Sequence, residues 1–436
     1  MVDNPCRLGP VELAPGVRPL HAGSFLFAAF IGISLTTFIS VIQPYVLTVQ
    51  IDLAVDKQGQ VSGDMVFYSE IVVLLLSAAV GTLADRFGRR GIFAVGALIL
   101  GIGYSLFGYV DSVTTLTAAR IFLAFGIAIV NVLVQAVQAD YPAENSRGKL
   151  VGLTGFAIGI GAVLIGVVFS RLPYWYVDAG MDELAAGRNT MLTMAGLALL
   201  LAILIRLGLK GGRPPQPDQP TPFTRSMLHG LRAGRQNARI ALAYGSAFVA
   251  RADLVVVGTF FTLWLNQTAI AAGMSPDDAV RAAGGFFALA MSSALIWAPI
   301  AGFINDRLDR TRAMALAMLL CAIGYSVMGL ISDPLGGWMY PAAILLGIGQ
   351  MSAITASQTL IGQQASAVNR GSIIGMFSFF GAAGVMFITS VGGRIFDSIS
   401  PAAPFVLVGF INLVLFIAAI LISRLPDQQQ VTEPTT

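Results

Sequence analysis

Charged side chains are scarce in this sequence, making up 11% of 436 residues. A soluble domain carries about 25%, so water is excluded as the solvent for most of this surface. Cysteine is nearly absent. Cys6 and Cys321 stand alone and far apart, which excludes a disulfide framework and a cysteine metal cluster. The two histidines, His21 and His229, lack metal-ligand spacing. There is no G-x-x-x-x-G-K-S/T loop and no catalytic constellation. The chain is therefore expected to be no enzyme, to hold no cofactor and no metal, and to draw its energy from an ion gradient or from the substrate's own gradient. A net charge of +3 is too small to point to nucleic acid. A cleavable signal is not expected either: the first 23 residues are polar and proline-bearing, and the apolar run behind them is too long for a signal core.

What the chain has instead is long apolar runs. Hydrophobic side chains make up 56%, and the 48 glycines suit close approach of helices in a bilayer. About 20 apolar residues cross the hydrocarbon core. Twelve such runs fall at roughly 24–49, 66–84, 92–110, 115–138, 149–172, 191–209, 240–265, 284–303, 313–332, 338–361, 372–393 and 403–423. The fold class is thus an all-α membrane protein with twelve transmembrane helices. The positive-inside rule sets its orientation. With both termini inside, 19 of the 26 Lys and Arg fall in inner segments, five in outer loops, and two, Arg120 and Arg251, within spans. A multi-pass protein of the cell membrane with cytoplasmic termini is expected, and the short loops suit a bacterial inner membrane.

The chain reads as two related halves. A cytoplasmic tail, 1–23, precedes an N-terminal six-helix bundle, 24–209. A basic, proline-bearing cytoplasmic linker, 210–239, leads to a C-terminal six-helix bundle, 240–423, and a cytoplasmic tail, 424–436. The linker's basic residues either enforce topology or touch anionic lipid. After the second span the chain reads Gly81-Thr-Leu-Ala-Asp85-Arg86-Phe-Gly88-Arg89-Arg90, and after the eighth Gly302-Phe-Ile-Asn-Asp306-Arg307-Leu-Asp-Arg310, 221 residues later. Asn145-Ser-Arg147-Gly148 after the fourth span is echoed by Asn369-Arg370-Gly371 after the tenth, at an offset of 223 for the arginines. Two motifs recurring at nearly one offset indicate duplication, a known transporter plan.

The segment Gly81 to Arg90 resembles the loop 2–3 motif of the major facilitator superfamily, G-x-L-A-D-R-x-G-R-R/K, at every specified position. The resemblance extends over nearly the whole chain through span count, central linker and repeated motifs, and it is nearest to the drug:proton antiporter branch. It implies two six-helix bundles in the major facilitator fold. It also implies a conformational gating cluster of Gly81, Asp85, Arg86, Gly88, Arg89, Arg90, Asp140, Arg147, Asp306, Arg307, Arg310 and Arg370 that holds the outward-facing state. Asp85 at a helix end can accept from a neighbouring helix N-terminus, and Asp140 and Glu144 are available to the loop arginines. The arginines equally serve as topology anchors. Arg120 with Ala124 and Gly126 partly matches a family pattern in the fourth helix. Leu123 stands where that pattern often has Gln, and the fifth helix lacks the Gly-Pro pair of drug antiporters. Gly155 and Gly159 suit tight packing.

Glu70, Arg120, Arg251 and Asp253 are the ionisable residues within spans. A central Arg or Asp costs about 2.5–3.5 kcal/mol on insertion scales, so such a residue is a functional candidate. Asp253 is the first candidate for proton coupling, with Glu70 second. Either a buried ion pair or an interfacial position is the alternative. Arg251 and Asp253, two apart, do not face each other. Glu70 and Arg120 are placed near the outer ends of their helices, where they can pair. Arg251, Arg120, Asn131, Gln135, Gln350, Gln358 and Trp264 are candidates for a substrate cavity, or else helix–helix hydrogen bonds and interface anchors. The expected partners are a small-molecule substrate, protons and membrane lipid, with the chain acting as a monomer. The expected function is secondary active transport by alternating access, as proton-coupled export (an efflux antiporter). The alternatives are a proton-coupled importer of a nutrient or organic anion, and a transport-inactive sensor or assembly partner.

Overall fold

A computed structural model describes residues 6–143, 146–212, 223–365 and 370–425. Twelve helices in it are long and apolar enough to cross a membrane: Pro19–Gln50, Val55–Ser77, Arg89–Phe107, Val113–Asp140, Arg147–Asp178, Glu183–Gly208, Ala238–Ala271, Pro276–Arg307, Arg310–Leu330, Met339–Gln364, Ser372–Ser398 and Ala403–Ser423. These are the first to twelfth spans below. Each apolar run of the sequence lies within, or nearly within, one of them. The helices run past the hydrocarbon where polar turns carry on as helix. The second reaches from Val55 to Phe87, with Gln58 and Ser62 buried on its early turns and Gln58 Nε2 donating to Leu53 O at 2.9 Å. The sixth starts at Glu183, capped by Asp182, whose side chain accepts from Ala185 N. Gly88, at φ +93°, reverses the chain between the second and third helices in a conformation that favours glycine.

The chain forms two compact units. One holds Met1–Pro217 with Phe261–Ala288, the other Asp218–Phe260 with Leu289–Thr436. The change of unit in the seventh helix falls at its π-helical stretch, Val257–Phe261. In the first unit the first span packs on the fifth, the second on the fourth, and the third on the fourth and sixth. In the second unit the seventh span packs on the eleventh, and the ninth on the tenth and twelfth. Three of the four pairs, first–fifth, third–fourth and third–sixth, thus recur six helices later.

Glycine contacts repeat with them. Gly103 on the third span meets Leu123 on the fourth, and Gly324 on the ninth meets Leu345 on the tenth. Gly126 meets Leu100, and Gly349 meets Cys321. Gly161 lies against the Phe30 carbonyl of the first span, and Gly384 against the Phe248 carbonyl of the seventh. No Cβ fits at these places, so the backbones approach as membrane helices do through small residues. Gly155, expected to serve such packing, has open space around it; Gly161 carries that contact.

Among the described residues, two short elements lie outside the spans. Arg7–Leu8 pairs with Val11–Glu12 as a small antiparallel hairpin, so part of the segment expected as a tail is folded. A helix, Phe223–Gln236, lies within the linker.

Candidate functional site

Asp253 is fully buried in the second unit. Its Oδ2 accepts from the Cys321 thiol at 3.2 Å, and its carbonyl accepts from the Tyr325 hydroxyl at 3.1 Å. Its Oδ1 has no hydrogen-bond partner among the described residues. The internal repeat gives this site a reference. Tyr104, 221 residues before Tyr325, is also fully buried and donates to the Leu35 carbonyl of the first span. Leu35 therefore stands where Asp253 stands, and Leu100 where Cys321 stands. The second half carries an acid and a thiol at a place where the first half carries two leucines. Asp253, the first candidate for proton coupling, thus has its side chain inside the helix packing in this conformation.

Arg251, two residues earlier, is on the exposed side of the seventh helix, with its stem close to Gly381 of the eleventh. It faces away from Asp253, as the spacing predicts.

In the first unit Arg120 is buried, at 3% exposure. Its Nε donates to Ser69 Oγ at 3.1 Å and its Nη2 to Ser40 Oγ at 3.2 Å. The hydrogen bonds that hold it run to two hydroxyls rather than to Glu70, with which the sequence allows it to pair. Glu70 is half-buried and roughly four turns into its helix. Its placement near an outer helix end is corrected, because the helix begins at Val55 rather than near 66.

At the predicted inner end, Arg89 is ion-paired with Asp140 and, at 3.7 Å, with Asp85, and it donates to the Ala136 carbonyl. Arg86 lies over the Phe87 ring at 5.5 Å. The Arg90 guanidinium packs against Gly211. In the second copy Arg310 pairs with Asp306 at 3.2 Å and donates to the Asn305 carbonyl, and Arg307 lies over the Phe303 ring at 4.1 Å. Arg147 opens the fifth helix, and Arg370 opens the helix Arg370–Ser398 that carries the eleventh span. Glu144, Asn145 and Asn369 and the side chain of Arg370 lie outside the described residues.

The hairpin docks beside this cluster. Ala14 N donates to Tyr141 O at 2.9 Å, and Ala143 N to Glu12 O at 2.9 Å. The Tyr141 hydroxyl accepts from Lys210 N at 2.9 Å, and Lys210 Nζ donates to Pro15 O at 3.0 Å. Burial pushes the Tyr141 phenol up to about 12, so it stays a neutral hydroxyl at any physiological pH.

The predicted amides divide by burial. Gln350 is buried, Asn131 half-buried, and Gln135 and Gln358 exposed. Gln135 and Gln358 are equivalent in the repeat. Gln358 lines a cavity of about 290 Å³ with Asn305, Asp306, Thr355 and Thr359. Trp264, a candidate for the substrate cavity or else an interface anchor, is buried two turns before the end of its helix.

Sequence reasoning passed over Cys321, Ser40 and Ser69, the two tyrosines and the hairpin. Aligning the halves on their glycines would have found Tyr104 and Tyr325, and with them the exchange of Leu35 and Leu100 for an acid and a thiol.

A family model described as Major Facilitator Superfamily matches residues 24–367 and 246–436. The chain is 27% identical over 403 residues to the magnetosome protein MamH of Paramagnetospirillum magneticum (strain ATCC 700264 / AMB-1), covering 91% of this chain and 90% of that protein. It is 25% identical over 404 residues to multidrug resistance protein 2 of Bacillus subtilis (strain 168), covering 90% and 91%. Among solved structures, the nucleoside transporter NupG matches 93% of this chain and 99% of its own with a TM-score of 0.71. At 15% identity that likeness is one of fold.

Proposed function

The chain belongs to the Major Facilitator Superfamily, and from that premise we propose that it exports an amphipathic small molecule in exchange for protons by alternating access. The reading places it in a bacterial inner membrane with both termini cytoplasmic, in keeping with the distribution of Lys and Arg. The observation that carries it is Asp253. An ionised carboxylate buried with one thiol donor costs several kcal/mol, and a bound proton removes the charge. An acid kept at that cost, where the duplicated half has leucine, is a functional candidate by default. Alternating access would open its surroundings to each side in turn, so the proton on it would track the conformation. Similarity to multidrug resistance protein 2 over nine-tenths of both chains favours export.

On this reading the Arg89, Asp85 and Asp140 cluster holds the inner ends of the second to fourth helices together and loosens as the inner side opens. Glu70 is a second acid on the path, and Arg120, Gln135, Gln358 and Arg251 contribute polar contacts. Arg251, exposed on the seventh helix, favours one competing reading, an importer of an organic anion.

Inverted membrane vesicles with an acidified lumen and a pH-sensitive dye test the proposal. Separate pools of cationic drugs, organic anions and metabolites are added. Collapse of the gradient by a cationic pool supports proton antiport. Lack of response to every pool, with accumulation of a labelled anion by whole cells, replaces export with import.

A further inference from the structure

Residues 219–252 contain Arg225, Arg232, Arg235, Arg239 and Arg251 and no acid. Within this stretch lies the linker helix Phe223–Gln236. One of its faces is made of small residues and is packed. Gly230 meets Ser372 and Met376 of the eleventh helix, and Gly234 meets the Tyr244 ring of the seventh. The Tyr244 hydroxyl donates to Gly230 O at 3.0 Å.

These contacts fix the helix in depth. Tyr244 lies about 9 Å along the seventh helix from its start at Ala238. Met376 is similarly far into the eleventh, which starts at Arg370. The linker helix therefore lies alongside the first turns of two spans rather than beyond them.

Its opposite face has a different composition. Successive residues turn by about 100°, so Leu228, Leu231, Arg232 and Arg235 share an arc of about 100°, away from Gly230 and Gly234. Leu228 is 69% exposed and Leu231 40%, and both arginines are exposed. Apolar residues flanked by arginine, beside the first turns of two spans and turned from the packed face, are the composition of an interfacial helix.

We propose that this helix is a lipid-binding element, in which Leu228 and Leu231 enter the inner leaflet while Arg232 and Arg235 bind anionic phospholipid headgroups. The leucines find the boundary between headgroups and chains. The arginines reach phosphate oxygens with forked donors, and no acid on the helix competes for them. This goes beyond transport and is independent of its direction or coupling.

The test uses the full-length chain with Cys6→Ser, Cys321 being buried. Leu228→Cys and Leu231→Cys are each labelled with an environment-sensitive fluorophore. The protein is reconstituted into phosphatidylcholine vesicles with or without phosphatidylglycerol. Quenching by headgroup spin-labelled lipid is compared with quenching by aqueous iodide. The expected result is lipid quenching at both positions that at least doubles with phosphatidylglycerol, while iodide quenching falls. An arginine near an anionic surface is worth about fivefold in association. Arg232→Gln with Arg235→Gln should therefore remove the phosphatidylglycerol dependence, and free glycerol phosphate should not imitate it. Equal iodide quenching in both vesicle types overturns the proposal. So does a phosphatidylglycerol dependence that survives the double substitution.

Discussion

Asp253 receives a hydrogen bond from Cys321 at one carboxylate oxygen, and its other carboxylate oxygen has no hydrogen-bond partner among the described residues. The tenth helix carries no ionisable side chain except Tyr340, and the twelfth none. A single donor in such surroundings matters. A neutral hydrogen bond contributes about 1 kcal/mol, or roughly fivefold. Cys321→Ala should slow transport by about that factor, while Cys321→Ser, which keeps a donor, should transport nearly as wild type. Initial rates in vesicles read both, and equal rates for the two variants would remove the thiol from the account. Asp85 makes a different case. Its pair with Arg89 is 3.7 Å long and its side chain 42% exposed, so Asp85→Asn should change stability by less than about 1 kcal/mol. Transport should nonetheless fall severalfold if the cluster gates. A normal rate would leave the arginines as anchors.

At the scale of elements, the glycine contacts decide which helices tolerate bulk. Gly384→Val places a side chain against the Phe248 carbonyl, and Gly161→Val one against the Phe30 carbonyl. Each should lower thermal stability in detergent by about 2 kcal/mol or more. Gly152→Val, with open space around the position, should leave the melting temperature unchanged. Equal effects at all three sites would contradict the packing described. The hairpin belongs to this scale too. Val11, Leu13 and Val17 are buried, so Leu13→Asp should destabilise the protein by about 2–3 kcal/mol, read as a lowered melting temperature in detergent; an unchanged one would contradict the docking of the hairpin. These elements explain what the sequence conceals. Val55 to Met65 is too polar to register as a span, yet it is the start of the second helix, with Gln58 and Ser62 buried on it. That extension moved Glu70 from a helix end to its interior. Val11 and Leu13 form no periodic run, and their burial depends on a loop more than 120 residues away.

At the scale of the whole molecule, far more was legible. Twelve runs, one basic linker and two echoed motifs yield the family's architecture, because a bilayer allows few alternatives to apolar helices with their backbone bonds satisfied internally. What stayed hidden was the role of single residues, since burial of Asp253 or Trp264 depends on partners remote in sequence. Orientation is testable with the native thiols. Cys6 is exposed and Cys321 buried, so an impermeant maleimide should label Cys6 alone, in inverted vesicles and not in intact cells. Labelling in intact cells would reverse the topology.

Coupling is the central claim, and Asp253→Asn tests it most directly. With a substrate identified in inverted vesicles, proton efflux and substrate exchange are measured on the same preparation for wild type and variant. The account predicts that the variant still exchanges labelled for unlabelled substrate but no longer dissipates the pH gradient when substrate is added. A variant that exchanges substrate and dissipates the gradient at the wild-type rate would contradict it.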